Sequence, residues 1–247
     1  HGGQIHQRII IRQIGPQFFP GIGDGIENSI DKGVARLQRK NRVLGILAHL
    51  LDPMLMIFAM LVTLFAIGTE LKAGTAREWL DTAGGSGFPA LGGKMLPLVV
   101  MMLLMTLMMF LILFKIVGVP LNGSLTALLF GCMLFVLAYM AIGVLIVTLL
   151  SNLRLSLSIG GGYSVLAFTF SGLTFPMMAM YPWVQAFSKI FPFTFYTDIF
   201  IDQALRGAPV VDSLWDMGYI ALFIVLPMLC LPRLRKICSD EKYWGRM

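Results

Sequence analysis

Two stretches of this chain limit it more than anything else in it: Leu96 to Phe114 and Ser124 to Leu150 each run without a single charged residue. An apolar run of that length is enough to cross a bilayer as a helix, and a soluble domain has no core large enough to hide several of them. The composition agrees, with 57% hydrophobic and 13% charged residues and a mean hydropathy of +0.81. Ordinary soluble domains are nearer half apolar and a quarter charged, so a water-soluble enzyme is excluded. The chain is read as an all-α polytopic membrane protein.

Five spans are expected, at about 53–69, 96–114, 124–150, 155–175 and 213–232. The first begins at Pro53, where Asp52 can cap a helix and mark the membrane boundary, and Glu70 closes it. Lys115 follows the second span, and its apolar stem can reach the interface. Gly118, Pro120 and Asn122-Gly123 make a tight turn to the third, and this turn chemistry accounts for Asn122-Gly123-Ser124 better than a glycosylation sequon does. The fourth carries Ser156, Ser158, Gly160, Gly161, Gly162 and Ser164, small residues that let helices approach closely in lipid.

Between the last two spans the chain is too apolar for a solvated loop. It is also too interrupted, by Pro176, Pro182 and Pro192, for a span. A re-entrant helical hairpin at one membrane face satisfies both facts, with Tyr181, Trp183 and Tyr196 suited to an interface. Five Lys and Arg follow Pro232 and only two lie in 171–212, which puts the C-terminus in the cytoplasm and the hairpin outside. Residues 1–52 form a separate polar and basic segment, in which Ile30, Val34 and Leu37 can line one face of an interfacial helix. Five spans place its seven Lys and Arg outside, against the charge rule, and a further helix upstream of His1 would relieve that conflict.

Several motifs can be set aside. Gly92-Gly93-Lys94 is not a P-loop, because Phe88 stands where the first glycine belongs and Met95 where Ser or Thr would meet magnesium. The row Met101, Met102, Met105, Met108 and Met109 has no Cys or His beside it and reads as packing rather than a copper relay. His1, His6 and His49 form no catalytic set. Cys132, Cys230 and Cys238 form no C-x-x-C pair, so neither a zinc site nor a disulfide framework is expected. No catalytic residue, metal or cofactor of its own is assigned to this chain, and no nucleic-acid partner.

The loop from Thr69 to Leu96 holds the informative polar residues: Glu70, Lys72, Arg77, Glu78, Asp81 and Lys94. Thr75 and Glu78 have the spacing of a capping box at the start of a short helix, which two membrane helices would present to a soluble partner.

These residues resemble the ABC-2 type permeases, the membrane subunits of bacterial ABC exporters. Glu70-Leu-Lys-Ala-Gly74-Thr75-Ala-Arg-Glu78-Trp79-Leu80 is similar to the family's loop after its second helix, and Leu91-Gly-Gly93-Lys94-Met-Leu-Pro97 to the element that follows. Val119-Pro120-Leu121-Asn122-Gly123-Ser124 is similar to its outer turn. Phe170-Ser171-Gly172-Leu-Thr-Phe175-Pro176-Met-Met-Ala-Met180 is similar to its Ser-Gly-x-x-Phe-Pro-x-x-x-Met signature. The resemblance starts near Asp52 and runs to the C-terminus.

The resemblance implies six helices with a large external domain after the first, so that residues 1–52 would be a remnant of that domain. It further implies a dimer of permeases working by alternating access in a bacterial inner membrane and exporting drugs or other cargo. A separate ATP-binding subunit would carry ATP and magnesium, and a periplasmic adaptor is a further partner. Glu70, Gly74, Thr75, Glu78, Trp79, Gly93 and Lys94 would couple to the ATPase. Gly172, Phe175, Pro176, Met180, Pro182, Trp183 and Pro192 would form an external gate. The competing readings are an ion-gradient-driven transporter, which needs a titratable group near the bilayer centre, and a truncated, inactive structural subunit.

Overall fold

A computed structural model describes residues 52–118, 121–172, 177, 180–225, 227 and 230–240, all within one unit, residues 47–247. Those residues are helical, with no strand among them. Three of their helices are long and apolar enough to cross a membrane: α1 (Asp52–Ala73), α3 (Gly87–Leu111, wound on as a π-helix through Ile112–Val117) and α4 (Leu125–Leu150). The short α2 (Ala76–Thr82) joins the first two. Then follow α5 (Leu153–Phe170), α6 (Pro182–Ser188), α7 (Pro192–Phe200, continued by a π-helix over Ile201–Arg206), α8 (Val210–Val225) and α9 (Leu231–Ser239).

The expected fourth and fifth spans are therefore helices, but shorter ones. α5 is 18 residues long and is diluted by Arg154 and its small residues. α8 is 16 residues, a rise of about 24 Å. The second span starts nine residues earlier than expected, so Gly92, Gly93 and Pro97 lie inside α3.

The core is built on α4, which packs against α3, α5, α7, α8 and α9. Phe135 stacks on Tyr196 at 4.3 Å between ring centroids and meets Tyr139 edge-on at 5.1 Å. Tyr196 is fully buried rather than interfacial, and its hydroxyl donates to the Asp52 carboxylate at 3.2 Å. Asp52 is itself buried.

Small residues do the expected work on one face of α5 only. A Cβ on Gly160 would come within 2.4 Å of Leu64 on α1, and Ser164 one turn on donates to the Gly160 carbonyl. Gly161 and Gly162 face open space. The methionine row divides in the same way: Met102 is buried, whereas Met101, Met105 and Met108 are exposed.

At the turn into α4, Asn122 donates from its side chain to the Leu205 carbonyl at 2.8 Å. A Cβ on Gly123 would strike the Gln203 carbonyl at 2.6 Å, so only glycine fits there. Ser124 caps α4 by accepting from Ala127 N–H. Val119 and Pro120 of that turn, and residues 1–51 with the expected interfacial helix, lie outside the described residues.

Candidate functional site

The polar loop between α1 and α3 folds back on itself through a Schellman turn. Gly74 takes φ +77°, a left-handed conformation that suits glycine, and Thr75 N–H reaches back to the Glu70 carbonyl at 3.1 Å. This reversal brings Thr75 over the Glu70 side chain. The Glu70 carboxylate accepts from the Thr75 hydroxyl and from the Lys94 ammonium of α3. The expected capping box is therefore not formed: Thr75 is the N-cap of α2 but makes no side-chain cap bond. The Thr75 hydroxyl donates to Glu70 in a charge-assisted bond.

Lys94 also lies 5.3 Å from the centroid of the Trp79 ring, so one ammonium joins α1, α2 and α3 through a carboxylate and an aromatic face. Its ion pair with Glu70 is only a fifth to a quarter exposed, which shields it from solvent and salt far better than the surface pair Arg77–Asp81 at 4.0 Å. Ala76 and Leu80 anchor α2 from its inner side while Arg77, Glu78 and Asp81 remain exposed. Gly84 and Gly85, both left-handed, then turn the chain into α3.

Between α2 and the first turns of α3 lies an open cleft of about 470 Å³, lined by Trp79 from α2 and by Pro89, Gly93 and Lys94 from α3. Nothing lies within 4 Å of where a Gly93 Cβ would stand. The structure thus brings together Glu70, Gly74, Thr75, Trp79, Gly93 and Lys94, and sets Glu78 on the exposed side of α2. Thr82, Ala83 and Ala90 complete the cleft and carried no sequence signal.

The C-terminal helix α9 was legible only as a run of basic residues. It packs on α2, α3 and α4 with Leu234, Ile237 and Cys238 buried. Arg233 donates to the Thr148 carbonyl at 3.3 Å and the Leu149 carbonyl at 3.2 Å, satisfying orphan acceptors in the last turn of α4. Burial pushes the Cys238 thiol up to about 11; the Glu70 carboxylate adds to the rise and the Lys94 ammonium opposes it.

At the opposite end, α6 and α7 each begin with a proline, Pro182 and Pro192, at a position that needs no N–H donor. Gly172 holds φ +89°, where a Cβ would meet Met177 Cγ at 2.7 Å. The Gln185 amide donates to the Met177 and Met180 carbonyls at 2.9 and 3.0 Å and so fixes the turn before α6. Trp183 and Tyr181 are about three-quarters exposed. Phe175 and Pro176 lie outside the described residues.

Gln203 was not anticipated. Fully buried, it donates to Ser213 Oγ at 2.9 Å and accepts from Ser124 N–H at 3.1 Å, joining the turn before α4 to α7 and α8.

No curated protein and no solved structure matches the chain. A family model described as ABC-2 family transporter protein matches residues 25–230. The match begins well before Asp52, where the residues themselves had first suggested the resemblance, and stops just short of α9. A model covering most of the chain, together with apolar helices of membrane-crossing length, makes this a multi-pass membrane protein and a transport permease component. The chain belongs to the ABC-2 family of transporter proteins.

Proposed function

We propose that this chain is the permease of an ATP-driven exporter, moving its substrate by alternating access while a separate ABC ATP-binding subunit hydrolyses ATP with magnesium. The observation that carries the reading is the cluster of Glu70, Lys94 and Trp79 beside an open cleft. A docked partner that moves α2 also moves the ends of α1 and α3, because a partly buried ion pair ties α1 to α3 and its ammonium faces Trp79 of α2. Glu78, exposed on α2, is the contact residue; Gly74 and Thr75 set the turn; Gly93 keeps the cleft open.

In this reading α5 and α8 complete five spans, with residues 1–52 as an external segment and 53–247 as the transmembrane domain. α6 and α7 form the re-entrant external gate, in which Gly172, Phe175, Pro176, Met180, Pro182, Trp183 and Pro192 shape the hairpin. The protein sits in a bacterial inner membrane as a dimer with a second permease, its C-terminus cytoplasmic, and acts in efflux, with a periplasmic adaptor as a further partner. The basic residues of α9 support that orientation.

The test is ATP turnover by the complete permease co-reconstituted with its ATPase. Trp79→Ala and Glu78→Arg are expected to lower transport-linked turnover at least about tenfold, roughly the loss of one docking anchor, while both variants insert normally. Turnover equal to wild type in both would overturn the proposal.

A further inference from the structure

A second groove lies at the foot of α3, on the side away from Lys94. Phe88, Leu91, Met95 and Val99 form one wall, and Met140 and Val144 of α4 belong to the other. Every side chain lining this slot of about 150 Å³ is apolar. From Phe88 to Val99 it runs eleven residues along α3, about 16 Å at 1.5 Å per residue. Half the hydrocarbon thickness of a bilayer is about 15 Å, so the slot has the length of one leaflet.

It also opens where lipid must lie. α3 is the most exposed of the three long helices, with 22% of its apolar window buried against 50% and 61% for α1 and α4. Phe88, at the foot of the groove, is itself exposed.

Beyond Leu231, the last residue lining the slot, α9 is basic. Leu231 is the first residue of α9, and the position of a Gly87 Cβ at the start of α3 is 3.5 Å from its side chain. Arg235, exposed, stands one turn beyond Leu231 on the same side of α9, with Lys236 next to it. The N-terminus of α3 adds first-turn N–H groups that its N-cap residue Ser86 does not satisfy through its side chain. An apolar slot one leaflet deep beside the basic residues of α9 fits a molecule with an acyl chain and a phosphate.

We infer that the groove between α3, α4 and α8 is a binding site for an anionic phospholipid of the leaflet facing the 70–94 loop. One acyl chain lies along Leu91 and Met95, and the headgroup phosphate lies between Arg235 and the start of α3. The lipid thereby spans α3 and α9, the two elements that flank the cleft and the α4 cap. The site stands on the membrane reading alone and does not depend on an ATPase partner.

The experiment is retention and photolabelling of two probes by the complete protein in mild detergent: phosphatidylglycerol and phosphatidylcholine, each carrying a diazirine in one acyl chain. Phosphatidylglycerol is expected to be retained about fivefold more strongly, the weight of one basic side chain at an anionic surface, and to label peptides containing Phe88–Val99 and Leu137–Val144. Arg235→Gln should abolish the preference and leave labelling by phosphatidylcholine in place. Leu91→Trp, which fills the slot from a half-buried position, should reduce labelling by both. Equal retention of the two probes overturns the inference, as does a preference that survives Arg235→Gln. So does labelling spread evenly over Leu104 and Met108, or a groove that crosslinks to residues 1–51 or to another subunit instead of lipid.

Discussion

Lys94 on α3 is held by Glu70 at the end of α1, and the same ammonium faces Trp79 on α2. The three elements of the loop are thus joined by one side chain that is mostly shielded from solvent. Removing either partner leaves the other charge partly buried and uncompensated. Glu70→Gln and Lys94→Gln should each destabilise the detergent-solubilised protein by about 1–3 kcal/mol, between the exposed and the buried limits for ion pairs. The double variant should lose less than the sum, measured as a thermal-unfolding cycle.

Arg233 ties α9 to the last turn of α4. Arg233→Gln should raise amide hydrogen exchange in Leu231–Ser239 and in the last turn of α4 together, because the two segments share the bond. Arg233→Lys should recover only part of the protection, since one ammonium cannot reproduce a guanidinium fork. Exchange that changes in neither segment would contradict the capping role.

Gln203→Leu should cost about 2 kcal/mol or more. It removes the acceptor of Ser124 N–H and the donor to Ser213 Oγ, leaving two groups without that partner in an apolar setting. Unfolding temperature measures it, with Asp202→Asn at the neighbouring position as the comparison that should cost far less.

Gly160 and Gly161 differ by one position and should differ sharply in tolerance. Gly160→Leu forces α1 and α5 apart, because even a Cβ meets Leu64 at 2.4 Å, whereas Gly161→Ala enters open space. Expression of folded protein by size-exclusion profile separates the two.

Cys238 should resist alkylation between pH 7 and 9. Its thiol is pushed up to about 11, so the reactive thiolate is scarce throughout that range and increases only as pH climbs toward 11. Partly exposed Cys230 should be modified first, as read by mass spectrometry of maleimide-treated protein.

What could be read from the residues follows from how local the signal is. The third span was placed within a residue of α4, because a charge-free run preceded by Asn122-Gly123-Ser124 carries both its length and its cap. The prolines at 182 and 192 announced two short helices for the same local reason. Two contacts that the residues do not announce have a tertiary cause. The Asp52 carboxylate accepts from Tyr196, 144 positions away. Thr75 reads as a capping-box residue until the Gly74 turn brings a carboxylate over it. Gln203 had no signal, and Arg233 only that of a basic residue after the last span, since their partners are distant carbonyls, hydroxyls and amides that no spacing encodes.

The most direct test of the coupling account is mass spectrometry of what co-purifies stoichiometrically with the complete tagged protein in mild detergent. The account predicts a soluble P-loop ATPase bound to the wild-type protein and lost from Glu78→Arg, with the variant still folded and membrane-inserted. A well-folded wild-type protein that brings down no ATPase, or an ATPase bound equally by Glu78→Arg, would contradict it.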